Sequence, residues 1–167
     1  EEIVKYYEGN IENFELKQNI IRGIYIKIPN EAPQLEKLTL LINSSQPKEQ
    51  EELKSYCLRF ATAYSLEDST WINFDEVVED SPMNGILNKV QFLKDNRYIE
   101  TSDDQFSYFL RIDEYKISDQ ISPLEFVKDQ IRNIIINKRK VELANNLENE
   151  VFDRAVNNND FEIFNNY

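Results

Sequence analysis

The side chains that most often move protons in enzymes are scarce here: the chain has no histidine, and Cys57 is its one cysteine. Without imidazole, a Ser–His–Asp or Cys–His nucleophile system is excluded, and zinc sites of the CxxC or HExxH kind have no ligands. Cys57 lies among Tyr56, Leu58, Phe60 and Ala61, where a cysteine serves as a small buried hydrophobe. An activated thiolate would need a neighbouring base or cation. Cys57 has no partner for an intrachain disulfide, which leaves the redox compartment open. The three glycines, Gly9, Gly23 and Gly85, stand far apart, so there is no glycine-rich phosphate loop. The carboxylate pairs Asp75-Glu76 and Asp103-Asp104 are expected by chance among 31 acidic residues. Turn or surface duty is the reading for both, and Asp103-Asp104 lacks the spaced oxygen ligands of a calcium loop. No metal and no cofactor are expected.

What the chain has in abundance is aromatic surface, with ten Phe, nine Tyr and one Trp in 167 residues. That is ample core material for one compact domain plus an appendage. The formal net charge of −12 repels phosphate backbones and anionic lipid, so nucleic-acid and membrane-surface binding are disfavoured. The chain starts at Glu1-Glu2 without an initiator Met, a signal peptide or an apolar run long enough to span a membrane. This reads as a trimmed or excised chain with no membrane insertion of its own.

The elements that must position these groups follow from periodicity. Glu1 to Tyr7 read as a helix end stopped by Gly9-Asn10, and the β-branched run from Asn19 to Pro29 as a strand closed by proline. Leu35, Leu38, Leu41 and Ile42 recur at helical spacing. A second helix follows Pro47 and carries Leu53, Tyr56, Cys57, Phe60, Ala61 and Tyr64 on one face. Ser69 to Phe74 is a short aromatic strand or extended loop. Ser81-Pro82 opens a helix with the stripe Ile86, Leu87, Val90 and Leu93. Arg97–Thr101 and Phe106–Ile112 flank the turn-forming Ser102-Asp103-Asp104 as a hairpin. Ser122-Pro123-Leu124-Glu125 is a capping box, and an uninterrupted helical pattern then runs to about Asn157, with the basic island Lys138-Arg139-Lys140 on a solvated face. Strands split by helices predict an α+β fold, a small antiparallel sheet with helices packed on one side, followed by a long C-terminal helix. Along the closing strand, alternation puts Phe106, Tyr108 and Leu110 on one face and Phe109 on the other. An aromatic-lined concave face of that sheet would suit extended or proline-bearing peptide.

Three segments in this order resemble a parvulin-type peptidyl-prolyl isomerase domain of a SurA-like periplasmic folding factor. Ile21-Arg-Gly-Ile-Tyr-Ile-Lys-Ile-Pro29 is similar to the opening parvulin strand, and Phe106-Ser-Tyr-Phe-Leu-Arg-Ile112 to the closing one. The segment from Ser122 to Lys140 resembles the long helix that follows the isomerase domain, and Tyr6-Tyr7-Glu8 through Phe14 the linker leading into it. Parvulins carry a cleft histidine on each of the two strands. Laid on Arg22-Gly23-Ile24 and on Phe106-Ser107-Tyr108, the family pattern puts those histidines at Tyr25 and Phe109.

Both imidazoles are thus replaced by aromatics, and a usual glycine by Ser107. Since rotation about an X–Pro bond needs no covalent step, the resemblance implies a degenerate isomerase domain kept for binding unfolded or extended client polypeptides. Tyr25, Cys57, Trp71, Phe92 and Phe109 are the groove candidates. The implied organisation is a linker helix end over 1–14, the parvulin-like domain over 15–119, and a chaperone-type helix and tail over 120–167. The implied compartment is the periplasm or envelope, with a lipid anchor through residues upstream of Glu1. The apolar stripe from Leu124 to Phe152 is expected to pair with another chain, as self-association, or with the parvulin-like core. Two rival readings stay open: an active isomerase using Tyr25, Cys57 or backbone groups, and an assembly module for one fixed protein partner.

Overall fold

A computed structural model describes residues 1–158, so the tail expected over 159–167 lies outside the described residues. The elements in chain order are α1 (Glu2–Gly9), β1 (Ile20–Pro29), α2 (Leu35–Ile42), α3 (Pro47–Phe60), β2 (Ala63–Ser65) and β3 (Ile72–Asn73). They continue with α4 (Phe74–Val78), α5 (Lys89–Asp95), β4 (Tyr98–Ser102), β5 (Phe106–Lys116) and α6 (Leu124–Asn158). Short 3-10 turns cover Ile11–Asn13 and Pro82–Gly85. The fold is α+β, with a long C-terminal helix. Every strand pair is antiparallel, in the order β2-β1-β5-β4, with β3 also on β1. The chain divides into two compact units: residues 10–126 hold the sheet, and Glu1–Gly9 with the helix from Val127 onward form the other.

Helices pack on both faces of the sheet, which corrects the expectation of one covered side. The reason is alternation along strands that are apolar at nearly every position. Ile24, Ile26, Ile28 and Phe109 point to one face, where Leu38, Leu41 and Ile42 of α2 and Leu53, Tyr56 and Cys57 of α3 cover them. Ile21, Tyr108, Leu110 and Ile112 point to the other, under Phe74 and Val78 of α4, Met83 and Leu93 of α5. Pairing β1 with β5 requires one irregularity, between Arg22 and Gly23. Here β5 comes so close that a Cβ on Gly23 would sit 1.9 Å from the Arg111 carbonyl oxygen. That approach is the physical reason for glycine at this point.

Three local readings shift. Helix α3 starts at Pro47, as its N1 proline predicts, but ends at Phe60 rather than continuing to Tyr64. Ala61 turns extended (ψ 141°) and Thr62 N–H donates to the Lys27 carbonyl, so strand pairing overrides a weak helical pattern. The helix expected from Ser81 is instead a 3-10 turn followed by α5, whose Asn88 cap accepts from Gln91 N–H; Leu87, between them, is fully exposed. A short helix, α4, follows the aromatic strand, capped by Asn73 through Asp75 N–H.

In the smaller unit, Arg139 of α6 pairs with Glu2 of α1. Val127, Ile131 and Ile135 of α6 are buried, whereas Val141, Leu143, Leu147 and Val151 are each at least half exposed. No described helix is long and apolar enough to cross a membrane.

Candidate functional site

The direction of each β1 residue is fixed by backbone bonds at its two ends. Asn30 N–H donates to the Gln105 carbonyl, so even-numbered residues of β1 turn their backbone groups toward β5. Asn19 and Lys27 carbonyls accept from Phe74 and Thr62 N–H, so odd-numbered residues face the β2 and β3 side. Side chains alternate with the same parity, which places Tyr25 and Lys27 on the face roofed by α4 and α5. That roof is made of short pieces and stops before the β2 end of the sheet. The result is an open cleft of about 460 Å³, floored by Tyr25, Lys27, Ala63 and Ser65 and walled by Ile72, Asn73, Glu76, Val77 and Asp80.

Tyr25 is half-buried at the centre of the cleft floor. Burial first, and then the nearby Asp80 carboxylate, push its hydroxyl up to about 12, so it stays a neutral donor at ordinary pH. It makes no hydrogen bond among the described residues, which leaves the donor available to a guest. Lys27, one step along the floor, stacks its ammonium 4.8 Å from the Phe106 ring centroid and 5.6 Å from that of Tyr108. Beneath it, Tyr108 Oη donates to Asp103 Oδ2 at 2.6 Å. Asp103 Oδ1 accepts from the Gln105 and Phe106 N–H groups at 2.8 and 2.7 Å. The Tyr108 bond and those two amides hold the Asp103 carboxyl below its usual range; burial, and then Asp103, push the Tyr108 hydroxyl above its own. The ring on which Lys27 rests is therefore tied to the β4–β5 turn.

The structure separates the residues that the parvulin resemblance brings together. Tyr25 pairs with Leu110 and Phe109 with Ile26, so the two positions matched to the family's histidines point to opposite faces of the sheet. Phe109 is 1% exposed and Cys57 wholly buried, both in the core under α2 and α3. Burial pushes the Cys57 thiol up to about 11, which removes it as a nucleophile. Trp71 packs in a third cluster with Leu16, Ile20 and Phe126, its ring capped by the Arg22 guanidinium at 5.5 Å. Phe92 is half-buried against Phe74, with ring centroids 5.9 Å apart. Of the five groove candidates, only Tyr25 lines the cleft.

The tyrosine of β5 on the same sheet face as Tyr25 is Tyr108, one position before the matched Phe109, and it is buried outside the cleft. Parity along β5 is readable in sequence, but the register that sets Lys27 opposite Tyr108 is not. Asp80 and Glu76 carried no sequence signal among so many acids. No group of His, Cys, Asp and Glu able to hold a metal ion exists among the described residues. No protein family, curated protein or solved structure matches the chain.

Proposed function

We propose that residues 10–126 are a parvulin-like binding module without strong isomerase activity, serving an envelope folding factor that holds unfolded or extended client polypeptides. The observation that carries this reading is the open cleft around Tyr25. It combines apolar surface from Ala63, Ile72 and Val77 with the unbonded Tyr25 hydroxyl and the carboxylates of Glu76 and Asp80, and it lies at the position the resemblance gives to the first cleft histidine. Such a mixture suits a polypeptide, whose backbone needs donors and whose side chains need apolar contact. The element order also supports it, because a strand, helices, a short strand, a helix and a closing hairpin follow one another as the resemblance implies. Against it stands the second histidine position, which does not carry over residue by residue.

The cleft offers binding rather than chemistry. Its titratable groups are a neutral tyrosine, a lysine held over two rings and surface carboxylates, and its nearest thiol is sealed in the opposite core. Calorimetric titration with an extended proline-bearing peptide, run beside a proline isomerisation assay, tests the proposal. Saturable binding that Tyr25→Ala weakens, with no acceleration of isomerisation, is the expected pair of results. Clear acceleration abolished by Tyr25→Ala would make the domain an isomerase instead. Selectivity for one folded partner, with no binding of unfolded chains, would make it an assembly module. The exposed apolar residues Val141, Leu143, Leu147 and Val151 further support self-association through α6. A single monomeric species in sedimentation at high concentration removes that part.

A further inference from the structure

Among the described residues, strand β2, three residues long, pairs with β1 on one side only. Because the odd residues of β1 face it, Lys27 pairs with Ala63 and Tyr25 with Ser65, and those two residues turn their backbone groups inward. Tyr64, between them, must then turn its N–H and C=O outward, at a strand edge where its side chain is 39% exposed. Both sheet faces open into cavities at this edge. On one side is the Tyr25 cleft. On the other is a second cavity of about 470 Å³, lined by Ile24, Leu53 and Leu66 with Gln50 and Lys54 at its mouth. Tyr64 and Ser65 line both.

We infer that the client polypeptide adds to the sheet as a strand along β2, exchanging backbone hydrogen bonds with Tyr64 and dropping alternate side chains into the two cavities. This rests on the cleft reading above and adds to it how the chain is held and which sequence it prefers. The guest residue opposite Tyr64 has its side chain on the Ile24 side, among Leu53 and Leu66, and so is a large aliphatic one. Its two neighbours point into the Tyr25 cleft, toward Glu76 and Asp80. Glu67 and Asp68 stand at the mouth of the second cavity. At the second cavity Lys54 opposes Glu67, Asp68 being bridged by Arg111, while in the Tyr25 cleft Glu76 and Asp80 outnumber the single ammonium of Lys27, so the excess charge facing the guest's two outer side chains is negative. The preferred motif is therefore basic–aliphatic–basic in an extended strand.

The test uses the whole chain and a blocked synthetic pentapeptide, Thr-Lys-Leu-Lys-Thr, followed by calorimetry. Two peptide controls accompany it: the same peptide N-methylated at leucine, and Thr-Glu-Leu-Glu-Thr. The chain variants are Tyr64→Pro, which deletes the outward N–H where an edge tolerates proline, and Tyr64→Ala, which keeps it. Each loss of a backbone bond is expected to weaken binding about tenfold. Tyr64→Pro should show it relative to Tyr64→Ala, and the N-methyl peptide relative to its parent. The acidic peptide should bind weaker still. Equal binding by Tyr64→Pro and Tyr64→Ala, both folded by circular dichroism, overturns strand addition while leaving the cleft reading in place. Absence of binding of the parent peptide to the unaltered chain overturns both.

Discussion

Along β1, the even-numbered Ile24, Ile26 and Ile28 are all buried, while the odd-numbered Tyr25 and Lys27 stop half-way. The two sets belong to one strand and share one backbone. The even face meets α2 and the 14-residue α3, which cover it except for the cavity beside Ile24 at the β2 edge. The odd face meets a five-residue α4, a 3-10 turn and a seven-residue α5, and is left open toward β2. The residue types match this difference. Isoleucine offers apolar contact alone, whereas Tyr25 and Lys27 combine an apolar body with a polar tip. One face holds the fold together and the other keeps a usable surface.

The comparison breaks most severely through the closed face. Phe109→Ala should cost about 3–5 kcal/mol in urea unfolding, because it empties a sealed core site. The fraction that remains folded should bind peptide as before. Had Phe109 been part of the site, affinity would fall together with stability. On the open face the pattern should reverse. Tyr25→Ala is expected to lower stability by only about 1–2 kcal/mol while reducing peptide affinity about tenfold; a stability loss as large as that of Phe109→Ala would mean that Tyr25 is core.

The Tyr25 side of the sheet should also respond at the extremes of pH. Tyr25 and Tyr108 both titrate above the ordinary tyrosine value in the folded chain. Their contribution is fully present below about pH 10 and is lost as pH rises through their folded values. Tyr108→Phe should cost about 1 kcal/mol at neutral pH through the lost bond to Asp103, and should flatten the alkaline limb of a stability profile. An unchanged limb would show that Tyr108 does not sense the turn. The smallest effect belongs to Asp103, whose carboxyl titrates below its usual range. Its contribution is present above about pH 4 and is lost as pH falls through the folded value. Asp103→Asn should remove that acid dependence in thermal melts between about pH 2 and 5, and an unaltered slope would exclude Asp103 as its source.

Much of the architecture was legible because its signals are local. Pro29 closing β1, Pro47 opening α3, the hairpin around Ser102-Asp103-Asp104 and the start of α6 after Pro123 each rest on one residue's backbone restriction. The long reach of α6 followed from sustained periodicity. What escaped depends on pairing between distant segments. Tyr64 lies in a helical pattern but is pulled into a strand by Lys27, and α4 is too short to leave a period. The site failed for the same reason. A motif match aligns residues along one strand, but whether two matched positions on different strands share a face of the sheet depends on the register between β1 and β5. Phe109 fits the family pattern along β5, and its parity turns it into the core.

The central claim is that the open face around Tyr25 receives an extended polypeptide. A residue-resolved titration of the isotope-labelled chain with a basic, extended peptide tests it most directly. Amide shifts should concentrate at Tyr25, Lys27, Ala63 to Ser65 and Asp80, leaving Phe109, Cys57 and Ile26 still. Shifts centred on the face under α2 and α3, or confined to α6, would contradict the account.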